Sequence, residues 1–483
     1  MAAVLLAPLV LAASLSFAGV PGALVAAALV MAYFFTAIFV LGRHDSTTLV
    51  SCFIALTVLI PSNLTIGSLG AAGSPPTVIG IAAFAWWMFS RLGSRESSEP
   101  MARGRQPVRI GIFLFGASIL LGYAAAFSRQ IPALEISGAN RGMLEVFGLA
   151  GIGLLVADGT PDRERLDVLG RRLVFWVSVL AVLGVVQYLT KTTYSSIYAH
   201  LPGFTSSSTG PIDLGTRNGF VRVQATAASP IEFGLVMAAT LPVAIHYALY
   251  AQRRRLSSWM AVLLIAVTIP MSGSRAGIVG FGAAFFVLFL GWSLPRRTSA
   301  VAALLGMFAF LPLVMPGRIG SLVGDLLHAS SDPSVTHREQ DLARSGFLLT
   351  RSIWFGRGFG TFIPSEFTPA GQPVASLDNQ YLGSLIATGI VGLAALIMLL
   401  LIWFFTALGA RRRGAEESTK DFGLVLAASS VVLIAGFYVF DVFSFDITAN
   451  TMFVLLGMTG ALWRLAPSDL LRVDLSMSVL ADG

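Results

Sequence analysis

The chain has 483 residues, of which 55% are hydrophobic and only 12% charged, and its mean hydropathy is +0.79. A soluble domain carries roughly 25% charged residues, so no soluble fold of this length hides that much apolar side chain, and the bilayer is the solvent for most of it. The net charge of +7 would point a soluble protein towards nucleic acid; here it is read by membrane face, and no nucleic-acid partner is expected.

In chain order, apolar runs near 3–18, 23–41, 48–61, 76–91, 109–127, 143–158, 172–190, 230–250, 258–272, 276–293, 298–315, 380–407, 422–440 and 447–464 approach the roughly 20 residues that span a bilayer. They predict an all-α fold, a polytopic integral membrane bundle of about fourteen transmembrane helices. The first run, MAAVLLAPLVLAASLSFAG, ends in small residues as a signal peptide does. No Lys or Arg precedes it, so it is expected to be a retained helix. The single cysteine, Cys52, lies in an apolar run, which excludes a disulfide within the chain and a cysteine-based metal site.

Placing the N-terminus in the cytoplasm puts 21 of the 32 Lys and Arg residues in inner loops, among them Arg43, Arg91 to Arg109, Arg163 to Arg172, Arg253 to Arg255, Arg296, Arg297, Arg411 to Lys420, Arg464 and Arg472. The positive-inside rule therefore predicts both termini cytoplasmic. The segments 191–229 and 316–379, rich in Ser, Thr, Gly and Pro, then become outer-face loops. Within the second, THREQDLARSGFLLTRSIW predicts an amphipathic helix at the interface. Ionisable residues such as Glu145, Glu232, Asp441 and Asp446 are expected near helix ends, whereas a transporter would carry them at mid-membrane. No internal repeat is visible.

Three outer segments carry chemistry. In TRNGFVRVQATAASPIE, Arg217 and Arg222 precede a helix opened by Pro230. In MSGSRAGIVGF, residues Ser272 to Arg275 interrupt two apolar helices with no room for a loop. An arginine there costs about 2.5–3.5 kcal/mol and is expected to face a cavity or partner, with small neighbours forming an anion-binding nest. In the third, GRGFGTF allows an irregular backbone path, and LDNQYLGSLIATGIVGL sets Asp378, Asn379, Gln380 and Tyr381 at the mouth of a long helix, where Asp378 is also suited to a cap. Arg217, Arg222, Arg275 and Arg338 on one face with a carboxylate make the arrangement expected around a diphosphate, since guanidinium groups bind its oxygens bidentately.

These stretches, VRVQATAASPIEFGLVMAATLP, MSGSRAGIVGF and HREQDLARSGFLLTRSIWFGRGFGTF leading into LDNQYLGSLIATGIVGL, resemble the O-antigen ligase and polymerase family of bacterial envelope glycan enzymes, most closely over 217–408. The resemblance implies a membrane glycosyltransferase that moves a glycan from a polyprenyl-diphosphate carrier to a hydroxyl of a glycan, lipid or protein acceptor. It implies no metal, no other cofactor, and location in the bacterial cytoplasmic membrane with membrane lipids around it. It divides the chain into N-terminal helices over 1–190, a ligase-like core over 191–464 and a cytoplasmic tail over 465–483. Arg222 and Arg275 match the arginines that hold the diphosphate, with Arg217 and Arg338 beside them. Asn379, Gln380 and Tyr381 fall where acceptor or loop contacts are expected. Where ligases of the family usually carry His beside that Asn, this chain has Asp378. A carboxylate can orient or deprotonate the attacking hydroxyl; His200, His328 and His337 are the outer-side alternatives.

Overall fold

A computed structural model describes residues 45–62, 64–66, 74–92, 105–192, 204–206, 215–217, 219–317, 320, 352–362 and 379–481. Among them are twelve α-helices: α1 (Ser46–Leu59), α2 (Pro75–Leu92), α3 (Pro107–Ala126), α4 (Ala133–Gly159), α5 (Arg163–Thr190), α6 (Pro230–Leu249), α7 (Arg255–Met271), α8 (Arg275–Gly291), α9 (Leu294–Val314), α10 (Gln380–Arg413), α11 (Glu417–Val439) and α12 (Asp446–Ala481). Each matches an expected apolar run in order. The runs at 3–18 and 23–41 lie outside the described residues, so twelve helices stand where about fourteen were expected. Seven of the twelve, α3, α4, α5, α6, α9, α10 and α11, are long and apolar enough to cross a membrane, and α1, α7 and α8 are shorter apolar helices.

Two features depart from the expected all-α chain. Short antiparallel pairs join β1 (Leu64–Ile66) to β2 (Phe204–Ser206) and β3 (Thr216–Arg217) to β4 (Phe220–Val221). In addition, α4 and α5 start at 133 and 163, well before their apolar runs at 143 and 172. The added turns, ALEISGANRG and RERLDVLGR, are polar because they meet protein and water at the two ends of the bundle, and hydropathy alone does not see them. The expected amphipathic helix lies outside the described residues up to 351, and Ile353–Phe355 form a turn.

Helix α12 sits at the centre, against α1, α3, α4, α5, α6, α10 and α11. Helix α6 is the second hub, meeting α5, α7, α8, α11 and α12, and is buried along almost its whole length. Between apolar helices there is no hydrophobic drive in lipid, so close approach of small residues and polar contacts hold the bundle. A methyl group on Gly277 of α8 would stand 3.1 Å from the Gly234 backbone of α6, and one on Gly80 of α2 would stand 2.6 Å from the Gly148 carbonyl of α4.

The basic loops assemble at one end of the bundle. Asp158 accepts from Trp87 and Arg91 at 2.9 Å, with Arg109 3.8 Å away. Arg464 donates to the Thr160 carbonyl, Arg165 pairs with Asp45, and Arg411 donates to the Gly291 carbonyl. His246, in the last turn of α6, is at this end: its Nδ1 lies 2.8 Å from Asp421, which also accepts from Trp292 and Arg296. Cys52 is a buried core residue of α1.

Candidate functional site

The other end of the bundle holds the three motifs. Helix α7 ends at Met271 and α8 begins at Arg275, so only Ser272, Gly273 and Ser274 form the elbow between them. Gly273 takes φ +60°, a left-handed turn that glycine adopts without penalty. Ser272 Oγ donates to the Ile269 carbonyl (2.6 Å) and accepts from Ser274 N (3.1 Å), while Ser274 Oγ caps α8 through Gly277 N (3.3 Å). The main-chain N–H groups of Ser272 and Gly273 bond to carbonyls of α7's last turn. All three elbow N–H groups are thus used inside the turn. The expected backbone nest is not what this elbow forms.

Arg275 is the first residue of α8. A cation at a helix N-terminus opposes the macrodipole by about 0.3–1 kcal/mol, so helix stability does not explain it. It adds a guanidinium to an already positive helix end.

Arg222 comes to the same place. Val223 N donates to the Met271 carbonyl (3.2 Å), and Arg222 Nε reaches the Ser272 carbonyl at 3.5 Å. Ser272 and Arg275 are three residues apart, so their Cα atoms lie within about 11 Å of each other. Both arginines therefore belong to one elbow. The segment carrying Arg222 is pinned from behind by Gln187 of α5, whose Oε1 accepts from Gln224 N and Ala225 N at 2.9 and 2.8 Å. Ala225 is held there at φ +52°. As expected, Pro230 opens α6, with Ser229 Oγ capping Ile231 N at 3.1 Å. A methyl on Gly234 would stand 2.8 Å from Ser272 Oγ, so α6 supports the elbow directly.

The glycine-rich stretch is a clamp. Helix α10 is broken at Gly389 (φ +67°, ψ −165°), and a break inside a membrane helix strands carbonyls before it and N–H groups after it. The loop at 352–362 supplies partners for both. Arg357 N and Gly358 N donate to the Ile386 and Ala387 carbonyls (2.9 and 2.8 Å), and Ile390 N and Val391 N donate to the Ile353 and Trp354 carbonyls (2.9 and 3.2 Å). Gly356, Gly358 and Gly360 all have positive φ, and methyl groups there would stand 2.4, 2.5 and 2.2 Å from α10, α3 and α4 respectively. Arg357 and Arg129 both pair with Glu135 at the start of α4.

The start of α10 is occupied by structural contacts. Asn379, rather than Asp378, is the cap, accepting from Leu382 N at 3.1 Å. Gln380 is buried, with Oε1 accepting from Phe443 N (2.8 Å) and Nε2 donating to Ser384 (3.2 Å). Tyr381 donates to the Ile434 carbonyl at 2.9 Å. Asp378, Arg338, His200, His328 and His337 lie outside the described residues, and of Arg217 only the main chain is described, paired with Phe220.

Of the four carboxylates expected near helix ends, Glu232, Asp441 and Asp446 are there and Glu145 is not. Fully buried Glu232 accepts from Ala228 N (2.8 Å), Ile447 N (2.8 Å) and Ser62 Oγ (3.3 Å), so it caps α12 from α6. Glu145 is not near a helix end: it stands mid-way along α4, its Oε1 2.6 Å from Arg141. The error follows from the late start assigned to α4. The signal that was available is the i, i+4 pair Arg141 and Glu145 ahead of an apolar run.

The fold and the elbow define a helical membrane protein that presents arginines at the end opposite its basic loops. The family model described as O-Antigen ligase matches residues 260–397, from α7 through the elbow and past the break in α10. Over these residues the chain is similar to the O-antigen ligase family. Arg275 and the 352–362 clamp lie inside the match and Arg222 lies before it. No curated protein matches the sequence.

Proposed function

We propose that the protein transfers a glycan from a polyprenyl-diphosphate carrier to an acceptor hydroxyl on the outer face of the bacterial cytoplasmic membrane, without a metal ion. The observation that carries this reading is the meeting of Arg222 with the elbow that bears Arg275, beside a family match to O-antigen ligase. In the reaction, the bond between the anomeric carbon and the diphosphate oxygen breaks and its electron pair goes to the diphosphate. The acceptor oxygen bonds to the anomeric carbon, with inversion, and its proton passes towards Asp378. Arg222 and Arg275, with Arg217 and Arg338, compensate the charge that grows on the leaving diphosphate, and do so best in a site closed to water. Asn379, Gln380 and Tyr381 then serve the acceptor side by fixing the start of α10. Residues 191–464 form the catalytic core and 1–190 the flanking helices.

The purified protein, given polyprenyl-diphosphate-linked glycan and candidate acceptors, is expected to release carrier diphosphate in step with glycan transfer. Glycan moved across a bilayer with its sugar-phosphate bond intact would replace this reading with a transporter of lipid-linked sugars, which the mid-helix Glu145 and Arg141 pair favours. Orientation is tested separately by Arg412→Cys, which is expected to resist an impermeant thiol reagent in intact cells. Labelling from outside would move the elbow to the cytoplasmic face.

A further inference from the structure

Helix α9 touches the rest of the bundle only lightly and is mostly exposed. Between it and α6, α7 and α8 lies a cleft of about 360 Å³ lined by apolar side chains, with Arg296 and Ser299 as its polar lining. Both sit at the basic end, on the first turns of α9. Along α8 the lining runs from Phe281 to Trp292, about 16 Å at the rise of a helix, close to half of a hydrocarbon core about 30 Å thick. The cleft therefore has the depth of one leaflet. Its inner limit at Phe281 stops about 9 Å short of Arg275 along the same helix.

At the mouth of the cleft, where Leu249, Trp259 and Arg296 line it, α6 passes to α7 and α8 to α9. Arg253 and Arg254 lie between α6 and α7, Arg255 opens α7, and Arg296 and Arg297 lie in the first turn of α9; the first three are exposed. Asp421 compensates Arg296 (3.1 Å), and the nearby Glu417 is taken by Lys420 (2.8 Å). Arg297 donates to the Trp292 and Leu290 carbonyls. The rim is thus strongly cationic above an apolar slot one leaflet deep.

We infer that this cleft binds one anionic glycerophospholipid of the leaflet on the basic side, with an acyl chain between α7 and α9 and its phosphate at the rim of Arg253, Arg254, Arg255 and Arg297. Basic pockets between membrane helices recognise anionic headgroups in this way, through charge above and apolar contact below. The lipid fills the gap that lets α9 stand off from α6 and α8, and so completes the wall of the bundle on that side. The cleft's depth and its cationic mouth favour this occupant over the isoprenoid chain of a carrier held at the opposite end.

The test is retention of lipid by the purified full-length protein, read by native mass spectrometry after exchange into micelles holding equal amounts of phosphatidylglycerol and phosphatidylcholine with identical acyl chains. The wild type is expected to retain phosphatidylglycerol at least about tenfold in preference, and the combined Arg253→Gln, Arg254→Gln, Arg255→Gln variant to bring the ratio close to one. Ala300→Trp, on the cleft wall, is expected to lower retention of both lipids while the helical content and elution volume stay as in wild type. Equal retention of the two lipids by the wild type, or an unchanged ratio in the triple variant, would overturn the inference. A polyprenyl phosphate recovered in place of phosphatidylglycerol, or self-association abolished by Ala300→Trp, would overturn it as well.

Discussion

The two ends of the bundle are held together by different means. At the basic end carboxylates gather cations and ring N–H groups: Asp158 faces Trp87, Arg91 and Arg109, and Asp421 faces His246, Trp292 and Arg296. At the opposite end much of the tying is done by main-chain groups. The 352–362 loop completes the broken α10, Gln187 holds the Arg222 segment, and Glu232 caps α12. The basic end thus depends on its charges for stability, whereas the elbow end has a backbone framework on which Arg222 and Arg275 are mounted.

The largest expected effect is therefore at the basic end, away from the elbow. Asp158→Ala leaves Arg91 and Arg109 facing one another around a site with no solvent access to its carboxylate. Removing one partner of such a pair costs about 3–5 kcal/mol. Thermal unfolding in detergent should show a much less stable protein, and a midpoint close to wild type would refute the claim that this end is held by charge.

Asp378→Asn should lower glycan transfer by a factor of about 10², the usual order for an acid–base role, at little cost to folding. Asn379 supplies the cap of α10, and the substitution leaves that cap in place. Rates within a few-fold of wild type would turn attention to His200, His328 or His337.

The break in α10 gives a third effect, of about 2 kcal/mol for Gly389→Ala, from strain at positive φ and a methyl placed 2.3 Å from the Trp354 carbonyl carbon. Gly116→Ala, with open space around its added methyl, is the neutral control. The same thermal melt for both variants would show that the 352–362 loop does not lock into the break.

These contrasts also mark what was legible in the sequence. Apolar runs are imposed by the bilayer, so the twelve described helices were visible in their order, though not in length where polar turns extend them, as at the starts of α4 and α5 and past 464 in α12. The start of α4 was not, because Glu135, Asn140 and Arg141 face protein and water, and hydropathy registers lipid contact alone. The break at Gly389 was hidden inside an unbroken apolar run, since its signature is the loop 30 residues upstream. At the elbow, the small residues and the costly arginine were legible, but the internal use of its three N–H groups was not, because hydrogen-bond partners depend on how the two helix ends meet. The meeting of Arg222 with the elbow that bears Arg275 was legible only as two arginines expected on one face.

The role of the elbow is decided by carrier diphosphate release from purified Arg275→Lys beside wild type, with the melting temperature of each. Lysine keeps the charge and loses the planar fork, so turnover should fall at least about tenfold, or 1.4 kcal/mol in the barrier. The melting temperature should stay as it is, because Ser272, Gly273 and Ser274 hold the elbow through their own hydrogen bonds. Wild-type turnover in the folded variant would contradict the assignment of the elbow as the diphosphate site.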